Sequence, residues 1–191
     1  VVILCSWLPG YIPGFCFGKG VRLGKERNQA METIFQSVTQ YPDRHDANGV
    51  LMRLVDGLGY RFYWATEGLS ETDYSFSPGP DSPSIGRVVA HIWGLTNWIR
   101  LNFLGPAGVN HRPPEGAAQR EQALTMLADI RAHVAALDGG ALFALTIDGH
   151  PFWHVINGPL SDALTHVGQI ASFRRLNRNP VPKHNVFLCH E

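Results

Sequence analysis

The stretch NGPLSDALTHVGQIASFRRLNRNPVP, from Asn157 to Pro182, has the features of one complete helix. Asn157 is a typical N-cap residue, and the Gly158-Pro159 pair suits a first helical turn, where the missing N–H group of proline is not needed. Asn179-Pro180 predicts the end of the helix, because a residue that precedes proline is disfavoured in helical conformation. We therefore predict that this stretch forms the last helix of the fold.

Two potential metal ligands, Asp162 and His166, are four residues apart within this helix. That spacing places both side chains on one face, one turn apart and close enough to bind a single ion. At 100° per residue, both lie roughly 120° from the centre of the apolar face of their helix, and His91 lies roughly 80° from the centre of its own. Side chains at such angles are predicted to line a groove between neighbouring helices.

Three further segments, 46–69, 85–104 and about 115–137, carry apolar residues at helical spacing. Ser84 is the predicted N-cap of the second of them. Residues 70–84 are rich in proline and serine, which predicts a loop. Asp148-Gly149 between two short apolar runs predicts a short β-hairpin before the last helix. The predicted fold class is therefore all-α, an antiparallel four-helix bundle with a possible short hairpin.

The bulk composition excludes several classes of protein. The 191 residues are 45% hydrophobic and 17% charged, and they carry no net charge, as expected for one globular domain. A neutral chain gives no indication of nucleic acid or an anionic membrane as a partner, and no apolar run reaches the length of a membrane span. Three cysteines without a CxxC pair fit a reducing compartment, so we expect the protein in the cytoplasm.

Residues 1–30 differ from the remainder of the chain. They are apolar but interrupted by proline and glycine, and their basic residues follow the apolar part, which is the wrong order for a secretory signal. We predict that residues 1–30 are an N-terminal extension outside the domain, and that residues 31–191 form the domain. The alternative interpretation of residues 1–30 is a membrane-associating tail.

His91, Asp162 and His166 together offer two imidazoles and one carboxylate, a common ligand set for Zn²⁺, Fe²⁺ or Ni²⁺. His154 is a candidate to replace Asp162 as the third ligand, and the alternative is that it packs or hydrogen-bonds within its loop. In the alternative interpretation no metal is bound. Asp162 is then a first-turn carboxylate favoured by the helix dipole, and His166 is hydrogen-bonded to a neighbour.

Other side chains are candidates for supporting roles. Gln169 is positioned to hydrogen-bond a ligand residue. Trp98 and Arg174 are candidates for substrate binding, Arg174 for a substrate carboxylate. The alternatives are that Trp98 packs in the core and that Arg174 pairs with acidic residues.

The last-helix segment, above all its core HVGQI from His166 to Ile170, resembles the signature of the DinB/YfiT-like metal-binding four-helix-bundle superfamily. Ser84 to Ile92 resembles the second helix of that family, which carries one ligand histidine. The resemblance extends over about residues 45–182 and implies an up-down-down-up bundle and a homodimer. His91 and His166 fall on two of the three family ligand positions. Asp162 occupies the third, which often holds histidine, and it keeps a ligating oxygen.

The resemblance also implies an activity, because relatives include thiol-dependent transferases and isomerases. It implies a divalent-metal-dependent S-transferase, isomerase or hydrolase that activates a low-molecular-weight thiol or water for attack on a small electrophilic substrate. The alternative is a non-catalytic metal-binding or stress-associated bundle that acts through dimerisation. The chain contains no G-x-S-x-G motif that would indicate a serine nucleophile.

Overall fold

A computed structural model describes residues 35–106, 111–147 and 149–189. The described part is mostly helical, with four long helices, as predicted for an all-α fold. Its elements in chain order are α1 (Ala47–Thr66), α2 (Glu71–Ser75), α3 (Ile85–Leu104), α4 (Ala117–Ala136), α5 (Ala141–Ala144), β1 (Thr146–Ile147), β2 (His150–Pro151), α6 (Trp153–Val155), a π-helical turn (Ile156–Leu160) and α7 (Ser161–Leu176). The predicted extension, residues 1–30, lies outside the described residues.

The four long helices enclose one hydrophobic core. Both α1 and α3 pack against α4 on one side and against α7 on the other, so each long helix contacts two others. Each of the four long helices contributes fully buried side chains to this core. Examples, in chain order, are Phe62, Ile92, Leu127 and Ile170. Burial of each such side chain stabilises the fold by about 1.5–3 kcal/mol. Within the described residues, no helix is long and apolar enough to cross a membrane.

Two of the long helices, α1 and α3, begin at a residue whose side chain caps them. The Ser84 hydroxyl accepts a hydrogen bond from the backbone N–H of Arg87 at 3.2 Å, which confirms the predicted N-cap of α3. Asp46 caps α1 in the same way by accepting from the N–H of Gly49 at 3.0 Å. Each side-chain oxygen satisfies one N–H group that has no partner inside its helix.

The start of the last helix differs from the prediction. Asn157 is not an N-cap, because the chain is already helical from Trp153 and continues through the π-helical turn into α7. Pro159 lies inside this turn, where it has no N–H to give to a preceding carbonyl. Instead, the backbone N–H of Ser161 bonds back five residues to the carbonyl of Ile156, and the Ser161 hydroxyl donates to the same oxygen at 2.6 Å.

The connections between the long helices match the predictions in part. The hairpin before the last helix is present as the antiparallel pair β1 and β2. Gly149 has a positive φ of 76° in its turn, a conformation that favours glycine; Asp148 lies outside the described residues. The prediction of a continuous loop over 70–84 is wrong, because α2 forms there. Its capping box joins the Ser70 hydroxyl to the N–H of Asp73 and the Asp73 carboxylate to the N–H of Ser70.

Candidate metal centre

Three side chains from two helices meet between α3 and α7. His91 projects from α3, and Asp162 and His166 project from successive turns of α7. One ligand atom from each residue lies within 4.8 Å of the other two, so the three residues can hold a metal ion. Among the residues that the structure describes, no other histidine, cysteine, aspartate or glutamate belongs to this group. Ligation itself stays a prediction.

The distances between these atoms fit a single small cation. Nε2 of His91 is 3.0 Å from Oδ2 of Asp162, and Nε2 of His166 is 3.4 Å from Oδ1 of the same carboxylate. Two nitrogen or oxygen ligands about 2.0–2.1 Å from a tetrahedral zinc ion are about 3.3 Å apart. Each imidazole nitrogen thus lies at hydrogen-bond or ion-pair distance from a different oxygen of the Asp162 carboxylate, and distances of this size also occur between two ligands of one ion.

Gln169 fixes the orientation of one imidazole. Nδ1 of His166 is 2.8 Å from the side-chain oxygen of Gln169. An amide oxygen can only accept a hydrogen bond, so Nδ1 is the donor in this contact, and in a neutral imidazole Nε2 is then left with the lone pair that a metal needs. A hydrogen bond of this kind to the second ring nitrogen is typical of metal-binding histidines. The geometry agrees with the sequence-based prediction for Gln169.

Solvent reaches the group, which limits its contribution to stability. The side chains of His91 and Asp162 are 49% and 45% exposed, and that of His166 is 26% exposed. The two rings meet edge to face, with centroids 4.6 Å apart and planes at 80°. An ion pair this exposed is typically worth no more than about 1 kcal/mol. Contacts between these residues are therefore a minor part of what holds α3 against α7.

A cleft of about 850 Å³ adjoins the group along α3. His91 and Trp98 both line it, and the indole of Trp98 is 37% exposed. The structure thus places Trp98 beside a ligand candidate, and its role in substrate binding stays a prediction. Two cationic side chains that sequence reasoning did not single out, Arg87 and Arg112, also line the cleft. Arg87 precedes His91 by four residues, so helical spacing alone would have placed it on the same face.

Arg174 does not lie at this cleft, which corrects its assignment to substrate binding. The side chain is only 3% exposed, and burial lowers its pKa. Its guanidinium donates to the backbone carbonyls of Ala65 and Glu67 at 3.1 and 2.9 Å, and to that of Asn179 at 2.8 Å. The last carbonyls of a helix have no partner inside the helix. Arg174 therefore satisfies the carbonyl end of α1 from α7.

His154 is also separate from the three ligand candidates. Its ring stacks on that of His150, with centroids 4.7 Å apart and planes at 26°. It does not belong to the group formed by His91, Asp162 and His166, so Asp162 remains the candidate for the third ligand.

A comparison of the chain with protein-family models, with curated proteins and with solved structures finds no match. The function is therefore inferred from the geometry of these side chains and from the sequence motifs that carry them.

Proposed function

We propose that the protein binds a divalent metal ion through His91, Asp162 and His166 and is a metal-dependent enzyme acting on a small molecule. The observation that carries the proposal is the approach of three ligand atoms within 4.8 Å of one another, one of them from His91, which lines an open cleft. Three protein ligands with an open position are typical of catalytic metal sites, whereas structural sites have a closed set of four.

The protein residues have distinct roles in this proposal. His91, Asp162 and His166 hold the ion, and Gln169 keeps His166 in the tautomer that presents Nε2. Trp98 and Arg87 border the space where a substrate would lie. A bound divalent ion supplies Lewis acidity, which lowers the pKa of a thiol or water and polarises an electrophile. Two neutral imidazoles and one carboxylate leave that acidity largely intact, because they offset only one of the two positive charges.

The sequence resemblance extends this proposal to a class of reaction. We propose a DinB-like up-down-down-up bundle, a homodimer, and thiol transfer, isomerisation or hydrolysis as the reaction. The packing of each long helix against two others supports the bundle. The open cleft beside His91 favours an enzyme over a non-catalytic metal-binding protein.

Metal analysis of the purified full chain, without added metal, tests the site. We expect close to one equivalent of Zn, Ni or Fe in the wild type and its loss in His166→Ala. His45→Ala is the matched control, because His45 is exposed and lies outside the ligand group. Equal and negligible metal in all three proteins, before and after incubation with Zn²⁺, Ni²⁺ or Fe²⁺, would refute the proposal.

A second experiment tests the reaction. Small thiols are screened with electrophilic substrates, and the wild type is compared with Asp162→Ala loaded with the same metal. A wild-type rate above that of the variant supports metal-dependent transfer. Identical background rates in a protein that does bind metal would favour the non-catalytic alternative.

A further inference from the structure

A second cleft, of about 560 Å³, lies between α1, α7 and the segment 181–186. On α7 it is bordered by Leu164 and Arg175. At 100° per residue these positions lie roughly 160–180° around the helix from His166. The cleft is therefore on the opposite side of α7 from the candidate metal centre, and no part of the proposed function uses it.

The walls of this cleft are apolar and held in place. The side chains that make them are Ala65, Leu164, Val167, Ala171, Val181 and Val186. The segment that forms the outer wall is anchored by His184, whose ring stacks on Trp64 with centroids 5.5 Å apart and planes at 15°. His184 also bonds through Nδ1 to the carbonyl of Pro182 at 2.6 Å. A preformed apolar cleft between about 300 and 1,000 Å³ is typical of small-molecule sites.

The rim of the cleft is positively charged. Arg61, Arg175 and Lys183 border it, and none of the described residues that line it is acidic. Arg61 donates to the carbonyls of Gly57 and Val186 at 3.1 and 3.2 Å. These neutral acceptors orient the guanidinium without cancelling its charge. Several cations around a cavity with apolar walls concentrate anions there.

We propose that this cleft binds a small apolar molecule that carries a single carboxylate, such as a medium-chain fatty acid anion. The hydrocarbon chain lies against the valine and leucine walls, which removes its apolar surface from water. The carboxylate lies at the rim, where Arg175 and Lys183 are exposed and can pair with it. The site is independent of any metal.

Calorimetric titration of the full chain with decanoate tests the proposal, with decanol and decyltrimethylammonium as neutral and cationic probes of similar length. We expect saturable binding of decanoate and weaker or no binding of the other two. Arg175→Gln removes one exposed cation, and we expect it to weaken decanoate binding about tenfold, a loss of about 1.4 kcal/mol of binding free energy. Arg87→Gln is the matched control, because it removes an exposed arginine from the cleft at the candidate metal centre and leaves decanoate binding unchanged.

A second variant fills the cleft. Gly168 lines it, and a Cβ atom built there meets nothing within 4 Å, so Gly168→Leu is expected to fold and to block the site. Absence of saturable decanoate binding in the wild type would overturn the proposal, as would equal affinity for decanol. If Arg87→Gln loses decanoate binding and Arg175→Gln does not, the ligand binds in the other cleft. If Gly168→Leu changes the oligomeric state, this surface is a protein interface. Either result refutes the proposed site.

The metal and ligand proposals can fail separately. His166→Ala is expected to bind decanoate as the wild type does, because His166 lies on the other side of α7. If the wild type binds decanoate but no metal, the proposal for this cleft stands and the proposal of a metal centre is refuted.

Discussion

Replacing Gln169 tests whether His166 presents Nε2 to a metal. In the structure the amide oxygen of Gln169 lies 2.8 Å from Nδ1 of His166 and accepts its hydrogen. Gln169→Leu removes that acceptor while keeping a side chain of similar size. The ring is then free to rotate or to change tautomer, and loss of such a partner typically weakens metal binding 10–100-fold. The expected loss is therefore about 1.4–2.7 kcal/mol of binding free energy.

Urea unfolding with and without the metal measures this loss. At a free metal concentration of 100 times its dissociation constant, the wild type gains about 2.7 kcal/mol of unfolding free energy. At the same concentration, affinity weakened 10–100-fold leaves the variant a gain of only about 1.4 to 0.4 kcal/mol. The apo proteins should differ little, because one exposed or half-buried hydrogen bond contributes about 1 kcal/mol.

Gln169→Glu is the matched control, because a carboxylate keeps an acceptor for the Nδ1 hydrogen. We expect it to retain most of the metal-induced stabilisation. If Gln169→Leu gains as much from the metal as the wild type, the orientation of His166 by Gln169 is irrelevant to ligation. That result would refute the role assigned to Gln169, even if the protein binds metal.

Two further predictions concern the fold. Arg131 pairs with Asp56, which is fully buried in α1. Arg131→Met should therefore cost about 3–5 kcal/mol of unfolding free energy at neutral pH, and adding Asp56→Asn should recover part of it. Burial raises the pKa of Asp56, and removing Arg131 raises it further in the variant. The loss of unfolding free energy should therefore shrink as the pH falls through the pKa of Asp56 in the variant, because protonation removes the buried charge. An unchanged cost between neutral and acidic pH would contradict this account. Gly59→Ala should lose about 1–3 kcal/mol of unfolding free energy, since its Cβ atom would lie 2.2 Å from the ring of Phe35. Gly94→Ala, whose Cβ atom meets nothing within 4 Å, should instead gain up to about 1 kcal/mol. Equal chemical-denaturation midpoints for the two variants would contradict the packing at Gly59.

Local sequence patterns predicted those features of the fold that depend on near neighbours. Apolar spacing placed α1, α3 and α4 to within a few residues of their observed bounds, because each helix buries one stripe of side chains in a shared core. Ser84 was identifiable as a cap from the residue type and the helix that follows it. Asp162 and His166 likewise meet as a pair one helical turn apart.

Features that depend on distant parts of the chain could not be predicted in this way. The sequence suggested a substrate carboxylate or an acidic residue as the partner of Arg174, because helical spacing does not show that the carbonyls of Ala65 and Glu67 lie within reach. These carbonyls need donors because they end a helix. The sequence Asn157-Gly158-Pro159 has the composition of a helix start, yet the chain is helical on both sides of it and the π-helical turn packs against α3. In both cases tertiary contacts outweigh a local preference.

The π-helical turn connects this tertiary packing to the candidate metal centre. The pairing of Asp162 with His166 requires only α7, but its contact with His91 requires α7 to meet α3 at a particular position. The turn itself packs against α3, and Asp162 follows it by two residues. A π turn adds one residue to a helix and shifts the direction of every later side chain relative to the earlier ones. The bond from the Ser161 hydroxyl to the Ile156 carbonyl holds that extra residue in place, so the direction of Asp162 toward His91 depends on the irregular turn as well as on the four-residue spacing.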